Sequence, residues 1–214
     1  MDEEITIINT NTRNEKVLKF FLDNKKKIII IISIIFFCLV GYYSFDVIKK
    51  RNKIKLANQF NLSIIAFKAG EEKKTINELR NIINKQDAAY SPLALYFLID
   101  NNLIENKEEI NNLFNVIINK NNLEKEIKNL MIYKKALYNS DSIDENDLIK
   151  ILNPIINSDS IWKSHALFLI AEYFVTKNEN QKAKEFFKQI LVLPNSNKDI
   201  KLESKKRLNR DFGE

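Results

Sequence analysis

Two patterns of apolar residues divide this chain. Between Ile28 and Phe45 they dominate a run of 18 residues without a charged side chain. From Leu56 onward they recur at spacings of three and four, separated by polar residues. The second pattern predicts amphipathic helices. Sustained apolar/polar alternation and Asn-Gly or Asp-Gly turns, the marks of paired strands, are missing. Three glycines and three prolines in 214 residues are enough only to punctuate helices.

The spacing predicts helices over Leu56–Ala69, ended by Gly70, and over Glu71–Asn84, with Ile76, Leu79, Ile82 and Ile83 on one face. Ser91-Pro92 reads as a cap and first-turn proline, opening a helix that runs to about Asn101. Lys107–Asn119 and Leu123–Asn139 follow, then a short helix Ser142–Leu152 that stops before Pro154. Ser160–Lys177, Glu179–Leu193 (stopped by Pro194) and the charged Lys198–Asn209 complete the series. All three prolines fall at predicted boundaries. Short loops force consecutive helices to lie antiparallel, so the predicted class is all-α, an array of antiparallel helical hairpins.

The continuous run predicts a transmembrane helix. At about 1.5 Å per residue it spans roughly 27 Å, near the ~30 Å hydrocarbon core. Lipid offers no partners to free backbone groups, so the span must be helical. Ser33 can bond its hydroxyl back to the helix. Tyr42 and Tyr43 lie near the far end, where amphipathic rings favour the interface. A cleavable export signal has an apolar core of about 7–15 residues and a small-residue site after it. This run is longer and ends in Gly41-Tyr42-Tyr43-Ser44-Phe45.

The expected organisation is a short cytoplasmic N-terminal segment (1–27), the span (28–45), a basic juxtamembrane segment (46–55) and a helical domain (56–214). Six Lys/Arg precede the span from Arg13 and five follow it to Lys55. This balance barely separates the two orientations, but Lys25-Lys26-Lys27 abuts the span and favours a cytoplasmic N-terminus.

Charge changes the picture less than its total suggests. The chain carries +6 overall, yet residues 56–214 hold 23 Lys/Arg and 22 Asp/Glu. The excess surrounds the span, where it serves topology and lipid headgroups. No nucleic-acid partner is expected from so balanced a domain. Cys38 is the single cysteine, so no intramolecular disulfide can form.

A repeat lies within the helical domain. In "ALFLIAEYFVTKNENQKAKEFFKQILVLP", Leu167, Ile170, Ala171 and Phe174 fit the first helix of a tetratricopeptide unit; Ala183, Phe187 and Ile190 fit the second. Ala171 and Ala183 are small where two helices cross closely, and Phe174 and Phe187 fill the space beside the crossing. Weaker copies place Ser63 and Ala66 before Leu79 and Ile82, and Ala94 before Asn106 at a turn. These stretches, with "RNEKVLKFF", the basic cluster, the span and "AYSPLALYFL", follow one another in a familiar order. The layout resembles the membrane-anchored tetratricopeptide proteins described as ancillary subunits of the SecYEG translocon, in their alphaproteobacterial form. That resemblance implies a tetratricopeptide-like array on the periplasmic side of the bacterial inner membrane. It implies partners among translocon subunits, periplasmic chaperones or exported clients, and no catalytic residues. A cell-envelope scaffold for division or wall synthesis would use the same architecture.

Candidate chemistry is sparse. His165 is the sole histidine and has no triad or ligand pattern around it. Gly-rich phosphate loops, Cys pairs and the G-x-S-x-G elbow are missing. Glu108-Glu109 and the Asp144–Asp147 cluster would have to carry any hydrolase chemistry; first-turn acids favoured by the helix dipole explain both more simply. Trp162 suits either an interface anchor or core packing. The expectation is therefore a non-enzymatic protein with no catalytic, cofactor-binding or metal-binding residue.

Overall fold

The structure, a computed structural model, describes residues 15–120 and 123–213. It divides into two compact units, Met1–Lys55 and Leu56–Glu214. Among the described residues there are ten helices and no strand.

The first unit contains α1 (15–23) and the start of α2 (Lys25–Lys68). The large apolar side chains from Ile29 to Phe45 are all at least 46% exposed. The Ser33 hydroxyl donates to the Ile29 carbonyl at 2.8 Å, which satisfies it without a neighbour. Among the described residues α2 is the one helix long and apolar enough to cross a membrane. The helix does not pause at the basic segment 46–55. That segment contains no Gly or Pro, and within it Asp46 pairs with Lys50 one turn on at 2.7 Å.

The second unit begins with the last turns of α2. Gly70, at φ 81°, ends the helix, and Glu71 N–H returns to the Ala66 carbonyl at 2.9 Å. Then come α3 (Glu72–Asn84), α4 (Tyr90–Asp100), α5 (Lys107–Ile118), α6 (Lys125–Asn139), α7 (Glu145–Ile156), α8 (Lys163–Thr176), α9 (Asn180–Val192) and α10 (Lys198–Phe212). Each packs on the next, and α3 with α5, α6 with α8 and α8 with α10 also touch. The hydroxyl of Tyr96 on α4 meets Met131 Sδ on α6, 35 residues on, at 3.1 Å. Ser160, leading into α8, donates to Glu126 of α6, 34 residues back, at 2.7 Å. Arg207 Nε on α10 donates to Glu172 Oε1 on α8, 35 residues back, at 2.8 Å. One spacing thus governs the row α4–α6–α8–α10, which is repeat-like hairpin packing of the kind a tetratricopeptide-like array requires.

The seven motif positions Leu167, Ile170, Ala171, Phe174, Ala183, Phe187 and Ile190 are all at most 2% exposed. Ala94, Leu79 and Ile82 of the weaker copies are equally buried. Two core clusters result, one centred on α3–α5 and the other on α7–α9, with α6 contributing to both. A polar seam accompanies the α5–α6 contact. Asn111 and Asn139 exchange amide hydrogen bonds at 2.8 and 2.9 Å, and Lys135 Nζ donates to Asn115 at 2.8 Å.

Beyond small shifts at helix ends, three expected boundaries differ, the first being the helix start at Leu56, which α2 runs straight through. Pro154 lies inside α7 rather than beyond it. Its missing N–H would have met the carbonyl of Lys150, an exposed residue, near the end of the helix, while Leu152 and Ile155 at 0% exposure hold both flanks in the core. Ser91 is not the cap of α4. The Asp87 carboxylate accepts from Ala89 N–H and Tyr90 N–H, both at 2.9 Å, while the buried Ser91 hydroxyl donates to the Ile82 carbonyl at 3.0 Å.

Candidate interaction surface

The outer face of the first hairpin carries an opening in the helical unit. Small residues let α2 and α3 approach closely: Ser63 is 2% exposed, and its carbonyl accepts from Thr75 Oγ1 at 3.2 Å. The close approach leaves a trough of about 430 Å³. Ala66 and Ala69 contribute small apolar surface to it, and Leu62 and Ile65 stand beside it at 63% and 61% exposure. The opposite wall is polar. Lys74 pairs with Glu71 at 2.6 Å, a contact that raises the ammonium pKa, and Glu78 lies further along. A second trough, lined by Gln59, Glu78 and Asn81, continues it toward Asn84.

This apolar strip was not singled out by the sequence. Phe60 and Phe67 of the same helix turn inward onto Phe97, ring centroids 6.5 and 5.2 Å away. Leu62 and Ile65 therefore make α2 apolar on a second side. That second side is the only hint the sequence offered, because further helices cover comparable faces deeper in the array.

The candidates of the sequence lie elsewhere and are not brought together. Glu108 and Glu109 donate their backbone N–H groups to the Asn106 side chain, which caps α5. The Glu109 carboxylate accepts from Arg80 Nε at 2.6 Å. Asp144 caps α7 by accepting Asp147 N–H at 2.9 Å, and Glu145 pairs with Lys182 at 2.7 Å. Among the described residues no group of three or more His, Cys, Asp or Glu is arranged to hold a metal.

His165 and Trp162 join Tyr133 in an aromatic cluster between α6 and α8. The Trp162 and Tyr133 rings stack at 5.9 Å and 20°, and the His165 ring lies 5.1 Å from Trp162. His165 Nδ1 is buried without a hydrogen bond. Burial pulls the imidazole pKa down; the Ile161 carbonyl opposes this without reaching hydrogen-bond geometry at Nδ1. The cluster is a packing contact between hairpins with two titratable rings inside it, and burial raises the Tyr133 phenol pKa as it lowers that of His165.

No family model, curated protein or solved structure matches this chain.

Proposed function

We propose that this chain is a membrane-anchored interaction protein of the bacterial inner membrane, ancillary to the Sec translocon. In this reading its array holds segments of exported proteins or of their chaperones on the periplasmic side. The uncovered trough beside Leu62 and Ile65 carries the proposal. Its apolar strip and small floor suit the apolar stripe of a further helix, docked as each hairpin docks on the next. Its polar wall, with Glu71, Lys74 and Glu78, suits the rim of such a contact. The apolar helix fits as the tether, raising the effective concentration of the array beside a membrane complex. The resemblance in layout and the Lys25-Lys26-Lys27 cluster support a cytoplasmic N-terminus with residues 56–214 outside.

Two measurements test this. Protease added to intact spheroplasts should remove residues 56–214; complete protection would sink the periplasmic assignment. A photo-crosslinking residue at Leu62 should capture translocon subunits or exported precursors, and one at Asp141 should not. Equal capture at both positions, or none at Leu62, would overturn the proposed surface.

A further inference from the structure

The far end of the array presents a different surface. Lys198, Lys201, Leu202, Lys205 and Asn209 are all exposed on one side of α10, at spacings of three and four. None of the three lysines forms an ion pair among the described residues. Two of the three acids on the same helix are engaged with other cations, Glu203 with Lys206 at 3.5 Å and Asp211 with Arg207 and Arg210 at 2.7 and 2.6 Å, and the third, Asp199, is exposed in the first turn beside Lys198. Leu202 is 54% exposed among the lysines, and Val192, at the end of α9, is 80% exposed. Charge is polarised along the domain as well. Residues 177–214 carry ten Lys/Arg and six Asp/Glu, whereas 56–176 carry 13 and 16.

From this geometry we infer that the exposed lysine face of α10 docks on the anionic headgroups of a phospholipid bilayer. A row of unpaired ammonium groups around an exposed leucine matches a surface that is negative outside and apolar beneath. Each lysine brought to such a surface strengthens binding about fivefold at low salt. The apolar span of the same chain keeps a bilayer within reach at high effective concentration. A second copy, offering its acidic residues 56–176, is the competing occupant, but it lacks that tethered proximity.

The test uses the full chain with Cys38→Ser and an environment-sensitive dye on Asn209→Cys, a site beside the lysines that leaves Leu202 in place. It is reconstituted in vesicles of phosphatidylcholine alone or with about a third phosphatidylglycerol. Acrylamide, an uncharged quencher, reads access from water. The dye should be shielded severalfold in the anionic vesicles only. High salt should abolish the shielding, as should Lys201→Glu with Lys205→Glu; both sites are exposed, and circular dichroism checks that the helices persist. Equal quenching in the two lipids would overturn the inference. So would shielding that survives the double charge reversal. Shielding that vanishes when the protein is diluted to one copy per vesicle would assign the face to a second chain and overturn the lipid assignment.

Discussion

Helix α8 and the Ile28 to Phe45 part of α2 look alike in sequence and are accommodated in opposite ways. Both are apolar on nearly every side. In α8, Ala166, Leu167, Leu169, Ile170, Ala171, Tyr173 and Phe174 are at most 8% exposed, wrapped by α6, α7, α9 and α10. In α2 the most apolar window has no residue buried inside the protein. Apolar composition demands removal from water but does not say what does the removing. Protein neighbours satisfy α8, and small residues such as Ala171 admit them. The α2 run also has small residues, Cys38, Gly41 and Ser44, yet no other described part of the protein covers it. It is long and apolar enough for lipid to take the place of protein neighbours.

The largest effect should come from the buried helix. Phe174, 1% exposed and stacked on Phe186 at 5.6 Å, is at the centre of its cluster. Phe174→Ala should cost about 3–5 kcal/mol in urea unfolding of the detergent-solubilised chain. A loss below about 1 kcal/mol would show that α8 is not enclosed as described.

A charge sharpens the contrast. Ile34→Arg places a guanidinium mid-span and should cost about 2.5–3.5 kcal/mol of membrane insertion, leaving part of the chain extractable at alkaline pH. Ile170→Arg should instead leave insertion intact and unfold the C-terminal hairpins. If both variants behaved alike, the two helices would share one environment and the comparison would fail.

A smaller effect concerns His165, in the first turn of α8. Its folded pKa is below the ordinary 6.5, so the unfolded chain takes up the proton first as pH falls. The stability contribution is complete above pH 6.5, declines below it, and levels off beneath the folded pKa. The urea midpoint should drop between about pH 7.5 and about pH 5, and His165→Gln should flatten that part of the profile. An identical profile in the variant would assign the slope to other groups.

The smallest change in stability is expected at the head of the array. Leu62→Glu replaces an exposed side chain and should alter unfolding by no more than about 0.5 kcal/mol, while abolishing capture by a photo-crosslinking residue placed beside it at Ile65. A large destabilisation would mean that Leu62 is structural rather than a contact surface.

The helices of the domain were legible because periodicity is local. Leu79, Ile82 and Ile83 share a face at any temperature or context, and Gly70 and Pro194 mark ends through their own backbone chemistry. Pro154 was misread because a proline near the end of a helix costs little when flanking side chains are buried, and burial is not local. Ser91 was misread because two capping groups, Ser91 and Asp87, stood close together. Only the approach of the Ile82 carbonyl takes the serine out of contention. The trough was illegible for the same reason. Leu62 and Ile65 differ from the buried Ile82 and Ile83 only in what lies opposite them.

By itself, then, the order of side chains dictated which segments coil, where most of them stop, and that one stretch is too uniformly greasy for water. Those properties belong to neighbours within a turn or two of helix. Packing alone decided that Ser91 faces inward, that Glu109 and Glu172 hold arginines from other helices, and that one end of the stack is left apolar while the other bristles with lysine. The serine depends on a carbonyl nine residues back across a turn, the ion pairs on partners 29 and 35 residues away, and the two ends on a missing neighbour; loop closure leaves such meetings to the whole fold.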